Sequence, residues 1–208
     1  MLSSEAGDNT LVSGRNNDRL LGEEDDDRFV MASDGSNDIV DGNAGSDTLD
    51  LSHSTAGWRS ENAGSQKLVA GTSSRLEYAN IEHFIGSGQN DEFRFYSLPF
   101  LSLDGGGGDD FVIVSVLVDQ TTIDGGAGSD RLLVLSGLDL DIDFSAETLP
   151  SVNGAEAAFW RFESLFISRA NATVQGSNAN EEIETGLGDD LVNGLGGADT
   201  MAGGRARA

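Results

Sequence analysis

Large apolar residues in this chain recur at nine-residue steps, each two places after an acid and several after a pair of glycines. The pattern is G-x-x-G-x-D-x-U, with U large and apolar. Complete copies run through Gly42–Gly45–Asp47–Leu49, Gly105–Gly108–Asp110–Val112, Gly125–Gly128–Asp130–Leu132 and Gly194–Gly197–Asp199–Met201. Chance supplies roughly 0.1 such match in a chain of this composition. Incomplete blocks keep the register. Going back from Gly42, blocks begin at Ser33 and, after a two-residue slip, at Gly22, Ser13 and Ser4. Their sixth positions are Asp38, Asp27, Asp18 and Asn9, and their eighth positions Val40, Phe29, Leu20 and Leu11. Three tandem blocks start at Gly176, Thr185 and Gly194, with Glu181, Asp190 and Asp199 sixth and Ile183, Val192 and Met201 eighth. The block of Asp190 contains Gly186 and Gly188, and an isolated block at Gly86 carries Asp91 and Phe93.

The glycines admit positive φ, so the first six residues of a block predict a tight turn. The last three predict a very short strand with one inward side chain. One such unit cannot bury its apolar residue, but stacked units can. With two blocks to a coil, residues 18 apart lie above one another, and the acids of successive coils converge among backbone carbonyls. That is an oxygen-only cage with about two carboxylates, suited to a hard cation of flexible coordination.

Charge sharpens this picture. The 208 residues carry 36 acids against 12 Lys and Arg, a net −24. Nucleic acid is excluded as a partner, because binding phosphates takes a basic surface, and anionic membrane surfaces are disfavoured. No run approaches the ~18 apolar residues of a membrane span. Met1 to Thr10 lack the basic-then-apolar plan of a signal peptide. The absence of cysteine removes disulfides and thiolate chemistry. An acidic chain with 28 glycines suggests disorder, but the register of those acids and glycines argues for a repeat fold.

The stretches DGNAGSDTLDL, DGGGGDDFVIV, DGGAGSDRLLV and TGLGDDLVNGLGGADTMAGG resemble the RTX (repeat-in-toxin, hemolysin-type calcium-binding) family. Recognisable blocks cover a little under half of the chain, in three clusters. The resemblance implies an all-β, right-handed parallel β-roll with Ca²⁺ between adjacent turns, roughly five to seven ions in all. It also implies a piece of a larger secreted protein, exported by type I secretion to the outside or the surface of a Gram-negative bacterium. Carried over block by block, the metal residues are Asp18, Asp27, Asp38, Asp47, Asp91, Asp110, Asp130, Glu181, Asp190 and Asp199, with the turn glycines named above.

The stacked pairs expected are Asn9 with Asp27, Asp18 with Asp38, Asp27 with Asp47, Asp91 with Asp110, Asp110 with Asp130, and Glu181 with Asp199. The slip places a bulge near Met31 and Ala32. The remaining acids of the run Glu23–Asp27 read as solvated charge. The half-coils Phe95–Asp104 and Val114–Asp124 lack the turn motif, so the central roll is expected to bind calcium on one side and to be apolar and metal-free on the other. Asp190 faces Ala172 and Ala208, neither of them an acid. The chain stops inside a repeat without the family's C-terminal export signal, which reads as a fragment or a divergent end.

Two inserts, Leu51–Ile85 and Leu133–Gln175, separate the clusters and share a plan. Asp47 precedes Glu82 by 35 residues, and Asp130 precedes Glu163 by 33. The organisation expected is 1–50 roll, 51–85 insert, 86–132 one-sided roll, 133–175 insert and 176–208 roll, in one solenoid. The inserts are expected to be short strands extending a parallel solenoid, with loops at Ser52–Ser65 and Ser145–Ala155. Glu82 and Glu163 suit a structural role, binding backbone N–H groups or an extra Ca²⁺. Phe159-Trp160-Arg161-Phe162 reads as core or cap. His53 and His83 have no metal spacing, and no nucleophile or zinc motif occurs, so no enzyme is expected. The alternative is a polysaccharide-binding or adhesin segment, which requires Arg59, Arg75, Arg94, Arg131, Arg161 and Arg169 to share one face.

Overall fold

Between one strand and the next, the repeat leaves room for six residues of turn, as from Gly22 to Asp27. The computed structural model describes the chain apart from residues 5, 62–65, 97–99, 116–119, 136–138, 145–150, 153–154 and 205–208. The described residues form strands and turns with no helix. In chain order the strands are β1 (Leu2–Ser3), β2 (Thr10–Val12), β3 (Arg19–Leu21), β4 (Arg28–Val30), β5 (Asn37–Asp41) and β6 (Thr48–Asp50). The first insert supplies β7 (Trp58–Ser60), β8 (Lys67–Ala70), β9 (Ser74–Ala79) and β10 (His83–Ile85). The centre holds β11 (Glu92–Phe95), β12 (Ser102–Asp104), β13 (Phe111–Val114), β14 (Thr121–Asp124) and β15 (Arg131–Val134). Then come β16 (Leu140–Asp143), β17 (Ser151–Val152), β18 (Ala155–Trp160), β19 (Ser164–Ile167), β20 (Ala172–Gln175), β21 (Glu182–Glu184), β22 (Leu191–Asn193) and β23 (Thr200–Ala202).

Outside β7–β9 and β16–β18, successive strands alternate between two sheets, as a roll requires. The first sheet runs β1-β3-β5-β9-β8-β7-β11-β13-β15-β19-β21-β23, and the second β2-β4-β6-β10-β12-β14-β18-β17-β16-β20-β22. Coil lengths follow the blocks. Leu11 pairs with Phe29 and Ile183 with Met201, 18 apart. Phe93 pairs with Val112, 19 apart, and Leu20 with Val40, 20 apart. The two extra residues of the slip sit between β4 and the part of β5 that pairs with β3, where buried Met31 donates its N–H to the Asp50 carbonyl at 2.9 Å.

The eighth-position residues form the interior up to Ile183, whereas at the last two coils Val192 is only half-buried and Met201 is exposed, against the inward place that the repeat predicts. One ladder rises through Leu11, Phe29, Leu49, Phe84, Leu103, Ile123 and Phe159, another through Phe93, Val112, Leu132, Leu165 and Ile183, all buried. Burial of each such side chain contributes about 1.5–3 kcal/mol. In the motif-free half-coils Phe95, Phe100, Leu103, Val114 and Ile123 belong to this core, while Leu101 is only half-buried. Phe84 sits at its aromatic centre, 5.4 Å from Tyr78 and 5.1 Å from Phe95 between ring centroids. Phe159 and Phe162 of the aromatic segment are also buried.

The inserts depart from the parallel extension that their alternation suggests. Each is an antiparallel meander spliced into one sheet. β9, β8 and β7 pair antiparallel within the first sheet, and β18, β17 and β16 within the second. Only three residues separate β8 from β9 and two separate β17 from β18. A parallel pair needs a crossover of a dozen residues or so, so links this short impose antiparallel pairing. β7 also falls inside the stretch expected as a loop, Ser52–Ser65, where buried Trp58 anchors it. β17 falls inside the other expected loop, Ser145–Ala155, most of which lies outside the described residues.

Candidate metal centres

The turns stack along the two rims of the roll, and at each level a sixth-position carboxylate accepts the backbone N–H of its counterpart one coil earlier. Along one rim Asp27 Oδ1 accepts from Asn9 at 2.9 Å and Asp47 Oδ1 from Asp27 at 2.9 Å. Along the other, Asp38 Oδ1 accepts from Asp18 at 2.9 Å. Further on, Asp91 accepts from Trp58 at 2.5 Å, Asp110 from Asp91 at 2.7 Å and Asp130 from Asp110 at 2.7 Å. Near the end, Asp199 Oδ1 accepts from Glu181 at 3.2 Å, and Asp190 Oδ1 from Ala172 at 3.0 Å. Ala208, its other sequence neighbour by spacing, lies outside the described residues. Asp27, Asp38, Asp47, Asp91, Asp110, Asp130 and Glu181 are all buried, whereas Glu23 to Asp26 are exposed.

The second carboxylate oxygen carries the chemical information. Among the described residues six buried side-chain polar atoms have no hydrogen-bond partner, and four of them are carboxylate oxygens of this series: Asp47 Oδ2, Asp110 Oδ2, Asp130 Oδ2 and Glu181 Oε2. A buried anion without donor or counter-charge is strongly unfavourable, so these oxygens fit a bound cation. Each points to its own turn's first glycine, where a carbonyl of the next coil also arrives. A Cβ built on Gly105 would lie 2.3 Å from the Gly125 carbonyl oxygen and 2.5 Å from Asp110 Oδ2. Gly22, Gly42, Gly86, Gly125 and Gly176 repeat the arrangement with Asp27, Asp47, Asp91, Asp130 and Glu181. Glycine is needed there because any side chain would displace the oxygens that line the cage.

The fourth-position glycines let the coils close up. At Gly128 φ is +154° and a Cβ would meet the Gly108 carbonyl oxygen at 1.9 Å, and Gly45, Gly108, Gly188 and Gly197 are similarly tight. Gly194 abuts Asp199 Oδ2, and Gly186, at φ +41°, abuts the Ile167 carbonyl. No group of three His, Cys, Asp or Glu side chains gathers among the described residues. The cages consist of two carboxylates at most, completed by backbone carbonyls, which is oxygen chemistry for Ca²⁺ and not nitrogen or sulfur chemistry for zinc.

Three turns carry serine as an internal donor, a feature the sequence reading passed over. Ser36 Oγ donates to Asp38 Oδ2 at 3.0 Å, Ser87 Oγ to Asp91 Oδ1 at 3.1 Å, and Ser177 Oγ to Glu181 Oε1. Asp38 accepts on both oxygens, from the Asp18 N–H and the Ser36 hydroxyl, and Asp91 on both, from the Trp58 and Ser87 N–H groups, whereas Asp47, Asp110, Asp130 and, despite its serine, Glu181 each leave one oxygen bare.

Glu82 and Glu163 prove to be backbone acceptors: Glu82 Oε2 takes the Asp47 N–H at 2.9 Å and Glu163 Oε2 the Asp130 N–H at 2.7 Å. They lie at opposite rims, before β10 and β19, so they do not form a carboxylate pair. His83 bridges Ser46 at 2.8 Å and Ser102 at 2.7 Å, and His53 is exposed beside Ser52. Arg59, Arg75 and Arg94 line one pocket together with Glu61 and Glu92, and most of the arginines are engaged. Arg75 pairs with Glu61, Arg94 with Glu92 and Arg161 with Asp124, while Arg131 lies over the Phe111 ring, 5.4 Å from its centroid.

Burial sets the protonation of the calcium-free ladder. It pushes the Asp110 carboxyl up to about 8, with the neighbouring Asp91, Asp130 and Asp109 charges adding to it, and those of Asp47, Asp91 and Asp130 to about 6. Backbone N–H bonds oppose the rise in each case. The folded chain therefore holds protons that the unfolded chain releases near 3.8. The associated stability is complete below that value and is lost as pH rises through 6 to 8. In chelator, the β-sheet circular-dichroism signal is expected to rise as pH is lowered from 8 to 5; a signal that falls or stays flat contradicts this.

The model of the RTX calcium-binding nonapeptide repeat matches four stretches, residues 3–30, 31–51, 122–140 and 175–206. A comparison with curated proteins returned no match. The matched stretches lie before the first insert, at the start of the second and after it, and in each the turn glycines, sixth-position acids and eighth-position apolar residues stand in the repeat's order. Over these four stretches the chain carries RTX calcium-binding nonapeptide repeats.

Proposed function

We propose that the chain is a calcium-driven folding module within a larger secreted bacterial protein, disordered at cytoplasmic calcium and folded outside the cell. The observation that carries this reading is Asp110. It is buried between Asp91 and Asp130, with one oxygen bare and no cationic side chain against it. The ligands would be the sixth-position residues of six turn pairs, all acids but the neutral Asn9: Asn9/Asp27, Asp18/Asp38, Asp27/Asp47, Asp91/Asp110, Asp110/Asp130 and Glu181/Asp199. About six ions of charge +2 would offset about half of the net −24. Without them the stacked carboxylates repel one another across a few ångströms, so calcium binding and folding form one equilibrium. Passage through a type I secretion channel would then follow from low calcium inside the cell, and closure of the roll from millimolar calcium outside. The domain plan of three roll segments and two inserts in one solenoid belongs to the same proposal, as does the absence of catalysis.

A calcium titration followed by circular dichroism tests it. The chelated chain is expected to show little β structure and to gain it cooperatively with added Ca²⁺. A chelated chain that already has full, cooperatively melting β structure would overturn the proposal.

A further inference from the structure

Two of the four bare carboxylate oxygens do not face another repeat turn. Asp47 Oδ2 and Asp130 Oδ2 face the short turns that close the two inserts. Next to Gly42, the position of a Cβ lies 2.3 Å from Asp47 Oδ2 and 2.1 Å from the Asn80 carbonyl oxygen. Next to Gly125 it lies 3.0 Å from Asp130 Oδ2 and 2.1 Å from the Arg161 carbonyl oxygen. At Gly105, between two complete repeat turns, the corresponding distances are 2.5 and 2.3 Å. The carbonyl and carboxylate thus converge at the insert junctions as they do inside the roll.

The short turns are built alike. Asn80-Ile81-Glu82 and Arg161-Phe162-Glu163 each begin with a residue at positive φ, 51° and 53°. Each has a buried apolar residue in the middle, Ile81 or Phe162. The first side chain of each reaches the aspartate just before the repeat turn it covers: Asn80 donates to Asp41 at 2.8 Å, and Arg161 forms a two-point ion pair with Asp124. The glutamate then accepts the N–H of Asp47 or Asp130, as a sixth-position aspartate would. A six-residue turn ending in Asp has been replaced by a three-residue turn ending in Glu, whose extra methylene makes up the reach.

We propose that Glu82 with Asp47, and Glu163 with Asp130, form two further Ca²⁺ sites, each completed by the carbonyl of Asn80 or Arg161. Their role is to bind each meander to the roll beneath it, one at each rim. The proposal rests on the reading of the roll as calcium-loaded. Asp47 and Asp130 are each 0% exposed and carry an unpartnered oxygen aimed into the junction. With two carboxylates and carbonyl oxygens only, each junction offers the hard donors that Ca²⁺ takes.

The test is a Ca²⁺ count by equilibrium dialysis and calorimetry on the full chain, with circular dichroism to verify folding at saturating Ca²⁺. Glu82→Gln and Glu163→Gln keep an acceptor for the Asp N–H and remove the charge. Each is expected to lose one ion, or to weaken one site at least tenfold, and the double variant to lose two. Glu82→Asp and Glu163→Asp keep the charge but retract it, and are expected to weaken the same sites; they carry the comparison should a glutamine variant not fold. Unchanged counts and affinities in all four variants overturn the proposal. Asp110→Asn separates the two readings. If it loses calcium while the glutamate variants do not, only the junction sites fail; if the parent chain binds no Ca²⁺, the calcium-loaded roll fails with them.

Discussion

Asp110→Asn is expected to stabilise the calcium-free chain and to weaken the calcium-loaded one. Asp110 is 1% exposed and lies in the middle of the central ladder. Its Oδ1 accepts the Asp91 N–H at 2.7 Å and its own N–H goes to Asp130. Asparagine keeps that acceptor. It also places an N–H₂ donor where Oδ2 now faces the Gly125 carbonyl. In chelator at pH 8 the substitution removes a buried carboxylate that burial holds at about 8, and repairs an unmade hydrogen bond worth about 1–3 kcal/mol. In calcium the same amide points a positive dipole at two cages, because Asp110 is shared by the Asp91 and Asp130 pairs. Two ions are expected to go, and the calcium midpoint of folding to rise at least tenfold. Urea unfolding in chelator with a stabilising osmolyte, and again in millimolar Ca²⁺, reads both effects. Shifts of the same sign in the two conditions would count against Asp110 as a ligand.

Phe84→Ala is expected to be the most damaging core substitution at saturating calcium. Phe84 is 2% exposed, stands between Leu49 and Leu103 in its ladder, and touches four aromatic rings. Removing a buried phenyl ring costs about 3–5 kcal/mol. The loss falls at the level where the first meander joins the central coils, and in a quasi-one-dimensional stack each level depends on its neighbours. Leu195→Ala, at a side chain 52% exposed, is expected to change stability by less than about 0.5 kcal/mol. Equal effects at the two positions, measured by denaturant unfolding in calcium, would contradict this account of the core.

Much of this was legible at nine-residue spacing. Leu20, Phe29, Val40 and Leu49 stand inward because the turn consumes six residues and leaves one inward position per strand. The two-residue slip before Asp38 was legible as a longer turn. Strand direction in the inserts was not, since alternation such as that of Asp139 to Phe144 marks a half-exposed strand without saying which way its neighbour runs. The three-residue link between Ala70 and Ser74 held that information, outside the stretch Ser52–Ser65 where the loop was expected. Ser36, Ser87 and Ser177 went unnoticed because a serine beside an acid has no signature until the turn brings its hydroxyl onto the carboxylate. Glu82 and Glu163 stood out as a duplicated feature, but their partners 35 and 33 residues earlier become neighbours only when the meander folds back.

The two meanders also set the geometry of anything built by copying this unit. Each puts three strands in one sheet where the facing sheet has one, an excess of two strands and about 10 Å of extra length on one wall at the usual strand spacing. The first lengthens the wall that contains β5 and β11, the second the wall that contains β14 and β20. A gene whose copies all put the meander in the same wall would generate an arch whose curvature grew with every copy. One that duplicates the 83-residue step from Gly42 to Gly125 lengthens the walls in turn, and the resulting rod can grow without bending progressively to one side.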